Sequence, residues 1–225
     1  MSFAPRSPYR AVANVYDAFL TITGFRRGVE NFLDRLGLDF PPRARLLDAG
    51  CGTGLMARWL AKRFPNVSII AADIDARMLR EMERIVAREG IDSDRITIAQ
   101  SDLRTPEQLH LLRSQETVVV PENYFDGIVV SGALEHVPLE PAVARLGKLL
   151  KPGGIFLNIG LRRSPAGAML GMMYGAKPYR IAQLRRACER AGFEDIQVIR
   201  LSVEDFPANL SRIAIMARKG ARVVE

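Results

Sequence analysis

The stretch Leu46-Leu47-Asp48-Ala49-Gly50-Cys51-Gly52-Thr53-Gly54 decides how this chain is read. A short apolar run meets glycines at three alternate positions. Leu55, Trp59, Leu60 and Phe64 then recur at helical spacing until Pro65. The pattern predicts a buried strand over 44–50, a turn and a helix. Glycine permits a tight turn with positive φ and lets a ligand lie against bare backbone. The helix beyond begins with N–H groups that lack intrahelical partners. A dinucleotide fingerprint, Gly-x-Gly-x-x-Gly, would need its third glycine at position 55, where Leu55 stands. Asp48, two residues before the first glycine, works against a pyrophosphate and favours a cationic ligand. The loop predicts a ligand site that does not take NAD.

Strands and helices alternate outward from this turn. VSIIAAD (67–73) reads as a second strand, and Asp75 as the N-cap of a helix. That helix carries Met78, Leu79, Met82, Ile85 and Val86 on one side and ends at Gly90. RITIAQ (95–100) and FDGIVVSG (125–132) are further strands. A helix beginning near Thr105 is expected to carry His110, and TVVV (117–120) looks like a strand on composition. A helix through Val143, Leu146 and Leu150 ends at a KPGG turn (151–154) that leads into IFLNIG (155–160). Pro178 opens a helix with Ile181, Leu184, Cys188 and Ala191, closed by Gly192. Two strands near 194–201 and 212–218 follow, with no room for a helix between them, so they must be antiparallel. Residues before 43 read as helical, with apolar positions in 11–23 and 28–38. The fold class expected is α/β and doubly wound: a mostly parallel sheet with one reversed C-terminal strand, preceded by N-terminal helices.

Composition narrows the class. The 225 residues are 48% hydrophobic and 25% charged, which suits a globular domain rather than a disordered one. Lys and Arg number 32 against 25 Asp and Glu, a net +7. The basic residues are spread in short pairs, Arg26-Arg27, Arg162-Arg163 and Arg185-Arg186, without a basic tail, so solvated helix faces explain them. Cys51 and Cys188 form no disulfide framework, and two histidines, His110 and His136, leave no basis for a His-built metal site; no metal is expected. MSFAPRSPYR lacks the apolar run of a signal peptide. Ser164–Ala176 falls short of the ~20 apolar residues that span a bilayer. A reducing, cytoplasmic setting is expected.

Acids end three successive strands. Asp73 lies where a carboxylate could accept both hydroxyl hydrogens of a ribose. A helix cap is the plainer role, but Asp75 already fills that position. Asp102, in Gln100-Ser101-Asp102-Leu103, could likewise cap a helix or accept from an adenine amino group.

In order and spacing, DAGCGTG, AADIDARML, SDL, YFDGIVVSGALEHV and LLKPGGIFLNI resemble the successive motifs of class I S-adenosylmethionine-dependent methyltransferases. The resemblance covers about 44–160. It implies a Rossmann-like, seven-stranded sheet and S-adenosyl-L-methionine as cofactor, with S-adenosyl-L-homocysteine as product. It also implies that Asp48, Gly50, Cys51, Gly52 and Gly54 hold the methionine portion. Asp73, with Ile74 beside it, matches the ribose-binding acid. Asp102 matches the residue at the adenine amino group, with Leu103 contributing backbone, and Ser131 lies where relatives contact the methionine end. Aligned on the family, VVVPENYFD becomes a loop leading into the fourth strand, with a small insertion before it. The implied layout is a single methyltransferase domain over 1–225. Within it lie a helical cap (1–42), a cofactor-binding core (43–160), a substrate-side insertion (161–177) and a C-terminal helix with two strands (178–225).

The chemistry of a sulfonium methyl requires in-line alignment of a nucleophile and exclusion of water. Glu135 and His136 follow the fourth strand at the rim of the expected pocket, and His136 titrates near neutrality when unperturbed, which makes it the candidate base. The alternative is a packed or solvent-facing loop histidine. The segment 11–33 resembles quinone-biosynthesis C-methyltransferases and bacterial phospholipid N-methyltransferases, in which the pair matched by Tyr16-Asp17 folds over the cofactor. The glycine loop departs from the quinone-type form. In the insertion 166–176, Met169, Met172 and Met173 among glycines make an adaptable apolar surface, flanked by Arg162, Arg163, Lys177 and Arg180. It could line a lipophilic pocket or meet an anionic membrane, or it could be a buried helix. The expected acceptor is therefore a small or lipid molecule, an amine phospholipid or a quinone or phenol, with a role in lipid metabolism. A cofactor-binding, non-catalytic partner or regulatory protein is the alternative. A nucleic-acid substrate is disfavoured, because no aromatic-interleaved basic groove is visible.

Overall fold

The computed structural model describes residues 21–221. Helix α1 (Phe25–Arg35) precedes strand β1 (Arg45–Ala49). The chain continues through α2 (Leu55–Arg63), β2 (Ser68–Asp73), α3 (Ala76–Arg88) and β3 (Ile96–Gln100). Next come β4 (Gln108–Leu111), β5 (Thr117–Val119), β6 (Phe125–Ser131), α4 (Leu139–Leu149) and β7 (Leu150–Leu161). The last elements are α5 (Pro165–Tyr174), α6 (Ile181–Arg190), β8 (Phe193–Arg200) and β9 (Arg212–Lys219). Local chemistry accounts for the boundaries. In α3, all five of the apolar residues expected on one side are buried. The Asp75 side chain accepts from the Arg77 N–H at 2.8 Å, and Gly90 leaves the helix at φ +65°.

The strands form one nine-stranded sheet in the order β5-β4-β3-β2-β1-β6-β7-β9-β8. Strands β3, β2, β1, β6 and β7 are parallel, and β9 runs antiparallel between β7 and β8. The reversed strand at the C-terminal end is thus β9, the last of the described strands. Period-two alternation separates two cores. Leu46, Ile69, Leu157 and Ile159 face Phe32, Leu60, Leu79 and Met82 of α1–α3. Leu47, Ile128, Phe156 and Ile215 face Val143, Leu146, Leu184 and Cys188 of α4 and α6.

Four expectations are corrected here. Seven strands become nine because residues 108–119 form an antiparallel hairpin on β3, with Leu109 opposite Val118 and His110 opposite Thr117. The expected helix near Thr105 is absent, and His110 is a strand residue. The segment has a strand's alternation, Leu109 buried and Gln108 exposed, and the β-branched Thr117-Val118-Val119 suits pairing. Strand β5 also replaces the loop that the family alignment suggested for VVV. The KPGG turn is instead absorbed into β7, whose register against β6 shifts between Phe125 and Gly127, with Gly153 at φ +76°.

Candidate functional site

The carboxyl ends of β1, β2, β3 and β6 lie side by side, and the segments leaving them converge. Gly50, Gly52 and Gly54 have φ of +75°, +53° and +80°, so all three occupy the left-handed region. The N–H groups of Gly50 and Cys51 both donate to the Ala72 carbonyl, at 2.7 and 3.0 Å, which ties the turn to β2. A Cβ at Gly50 would stand 2.3 Å from the Ala133 Cβ and 3.7 Å from Leu103, so the segments after β1, β3 and β6 touch there. Among the described residues nothing lies within 4 Å of such a Cβ at Gly52. Bare backbone is therefore presented to any ligand over the turn.

Two acids sit under and beside this turn. Asp48 is fully buried, and its Oδ2 accepts from the Ala57 N–H at 2.9 Å within the first turn of α2. Its Oδ1 is buried without a partner among the described residues. Burial pushes the carboxyl up to about 7; the Ala57 bond opposes the rise and the charge of Asp73 adds to it. Asp48, expected among the groups that hold a ligand, is buried at the end of β1 and anchors the first turn of α2. Asp73 is half-buried. Its Oδ2 accepts from the Gly52 N–H at 2.8 Å and its Oδ1 from the Asp75 N–H at 2.9 Å. Burial raises its pKa, and those two backbone bonds hold it down. A carboxylate has about four acceptor sites, so Asp73 can still receive hydroxyls. The Cys51 thiol is pushed well above its ordinary range by burial, then by Asp48 and Asp73, so Cys51 serves through its backbone.

Further along the edge, Asp102 accepts from the Arg104 N–H at 2.9 Å and from Arg104 Nη2 at 2.5 Å. Partial burial raises the Asp102 carboxyl, but its bonds to Arg104 outweigh this and hold it below the usual carboxylate range. Ile74 is 55% exposed beside it, and Gln100 Nε2 donates to the Ile74 carbonyl at 2.9 Å. Leu103 is half-buried against Gly50, and Ser131 closes β6 at the same edge. Glu135 and His136 lie in a short 3-10 turn, Leu134–His136. His136 is exposed, whereas Glu135 is buried and accepts from the Leu161 N–H. Glu135, expected at the rim, is thus a buried residue that fastens the turn to the end of β7. Tyr16 lies outside the described residues.

The sequence reading passed over Arg212, at the start of β9. It is 8% exposed, and its Nη1 is buried without a partner among the described residues. Only the register of β9 against β7 brings it to this edge. An open groove of about 390 Å³ lies at the opposite end of the strands between Leu36–Asp39 and Met216–Arg218, away from the converging acids. Among the described residues no three His, Cys, Asp or Glu side chains gather as a metal would require.

Residues 47–156, from the end of β1 into β7, match a family described as a methyltransferase domain. An uncharacterized methyltransferase of Mycobacterium tuberculosis is 36% identical over 110 residues, covering 48% of this chain and 46% of that protein. The chain thus spans about half the length of that curated relative. A malonyl-[acyl-carrier protein] O-methyltransferase of Geobacter sulfurreducens is 26% identical over 207 residues, or 86% of this chain and 71% of the relative. Among solved structures, phosphoethanolamine N-methyltransferase 2 of Haemonchus contortus, bound to S-adenosyl-L-methionine, superposes with a TM-score of 0.70 at 18% identity. The superposition covers 94% of this chain and 59% of that one, and speaks to the fold alone.

Proposed function

We infer that this chain, a member of the class I S-adenosylmethionine-dependent methyltransferases, transfers a methyl group from that cofactor to a small-molecule acceptor. The observation that carries the reading is the meeting, at one sheet edge, of a bare glycine turn with carboxylates that burial has driven up in pKa. Such a donor set fits a cation that also carries a ribose, and S-adenosylmethionine is both. When bound, the cofactor supplies a methyl carbon made electrophilic by its sulfonium.

The chain's own residues would do the rest. Backbone at Gly50, Cys51, Gly52 and Gly54 cradles the methionine portion, with Asp48 supplying negative potential from below. Asp73 receives the ribose hydroxyls, Asp102 with Leu103 and Ile74 the adenine, and Ser131 borders the methionine end. His136, exposed on the turn after β6, takes or orients the proton that a neutral acceptor must lose.

The acceptor is lipophilic, an amine phospholipid or a quinone-like molecule. Helix α5 supports this: Gly167 and Gly171 face the protein, while Met169, Met172 and Met173 are 55%, 82% and 52% exposed. Arg162, Arg163, Lys177 and Arg180 stand exposed around it and suit an anionic surface. No helix among the described residues is long and apolar enough to cross a membrane. The test is transfer of labelled methyl into a host extract, partitioned between organic and aqueous phases. Enzyme-dependent label in the organic phase is expected; aqueous label alone would reject the lipophilic acceptor, and no label anywhere would reject catalysis.

A further inference from the structure

We propose that Arg212 anchors an acid group, a carboxylate or a phosphate, on the acceptor molecule; the proposal rests on the methyltransferase reading above. A guanidinium is permanently charged, and burying it without an anion is costly. Yet Arg212 is 8% exposed, and among the described residues its wholly buried Nη1 has no partner and no carboxylate pairs with it. Its neighbours are the Phe25 ring, whose centroid is 5.3 Å from Cζ, and Gly132 at the end of β6. A Cβ at Gly132 would stand 3.0 Å from Nη1 and 3.5 Å from Nη2. Tyr174 of α5 lies within reach of its charge: burial raises the Tyr174 phenol and Arg212 lowers it.

The buried Glu135 does not serve it. Arg212 pairs with Leu161 and Ile213 with Gly160, so successive side chains point to opposite faces. The Glu135 carboxylate lies on the Gly160 face, 2.9 Å from where that residue's Cβ would be. Arg212 is on the other face, with Phe25. The Gly132-Ala133 turn also divides the edge: Ala133 stands against the glycine loop and Gly132 against the guanidinium. An anion at Arg212 would thus lie across that turn from the methionine cradle, between α1 and α5, where an acceptor approaches the methyl-donating end. Guanidinium geometry suits two-oxygen recognition of either acid.

Calorimetry on the full chain tests this. Protein saturated with S-adenosylhomocysteine is titrated separately with malonate and with inorganic phosphate. At least one should bind wild type and weaken by about tenfold or more in Arg212→Gln, while S-adenosylhomocysteine affinity stays within about twofold. Malonate alone binding assigns a carboxylate, and phosphate alone a phosphate. Neither anion binding wild type, or equal binding by Arg212→Gln, overturns the proposal. Loss of S-adenosylhomocysteine affinity in the variant without anion binding gives the guanidinium to the cofactor's own carboxylate and also overturns it. If wild type does not bind S-adenosylhomocysteine, the cofactor reading fails, and the same titrations on the ligand-free protein still decide Arg212. Should the variant melt early, wild-type crystals grown with malonate decide: a carboxylate at Nη1 supports the proposal, and an empty guanidinium overturns it.

Discussion

Asp48 and Asp73 share the underside of one turn, and each is less readily ionised there than in water. For Asp48 the folded pKa of about 7 exceeds the ordinary aspartate value of ~3.9. Between those values the folded chain binds more protons than the unfolded one, so this group's contribution to stability falls as pH rises from ~4 to about 7. Asp48→Asn keeps an acceptor for the Ala57 N–H and removes the charge. Urea unfolding of ligand-free protein should show the variant more stable than wild type at pH 8, by on the order of 1–3 kcal/mol, and nearly equal at pH 4. A cationic ligand reverses the preference, because it binds the ionised pair best. Affinity for S-adenosylmethionine should therefore climb between pH 6 and 8, and the climb should flatten in Asp48→Asn. Asp73→Ala loses the bond to Gly52 and the proposed ribose contacts. Its affinity for S-adenosylhomocysteine should drop by about 1–3 kcal/mol; an unchanged affinity would remove Asp73 from the site.

Helices α1, α2 and α3 cover one face of the sheet, and Glu89 at the end of α3 joins them. Its Oε1 lies 2.5 Å from Arg58 Nη1 and 3.1 Å from Arg26 Nη1, and its Oε2 lies 2.6 Å from Lys62 Nζ. Burial raises the Glu89 carboxyl, but the three cations outweigh it and the pKa is lowered. The stability it contributes is present above the unfolded pKa of ~4.3 and is lost as pH falls through its depressed folded value. Arg58 is 1% exposed, so Glu89→Gln removes a carboxylate from a buried guanidinium and should cost about 3 kcal/mol at pH 7. Chemical denaturation at pH 7 and at acid pH checks this; a loss that does not shrink with acid would rule out a charge origin. The pattern of α3 was legible because its five buried apolar residues recur at helical spacing between a capping acid and a glycine. The β4–β5 hairpin was legible only in TVVV, because strands of four and three residues are too short to leave a periodic signature.

At the scale of the whole molecule, the β8–β9 ribbon is continuous with the sheet through β7, and its connecting turns pack on α1, where Arg35 Nη2 meets Asp205 Oδ2 at 2.6 Å. S-adenosylhomocysteine at about 100 times its dissociation constant should therefore raise a single thermal transition by roughly 5–10 °C, since ~2.7 kcal/mol of linkage acts on a domain of this size. Scanning calorimetry that resolved an unshifted second transition would detach the ribbon from the site. The strand, glycine turn and helix at 46–60, the acids ending β2 and β3, and the parallel core were all determined by the sequence itself. Each depends on short-range spacing, backbone freedom at glycine and the period of apolar residues. What two of the acids do was decided by tertiary structure: Asp48 went under the turn, and Glu135 was claimed by the Leu161 N–H. Arg212 became a buried cation only when β9 paired with β7. Burial and partnership depend on residues far apart in the chain, and no local pattern carries them.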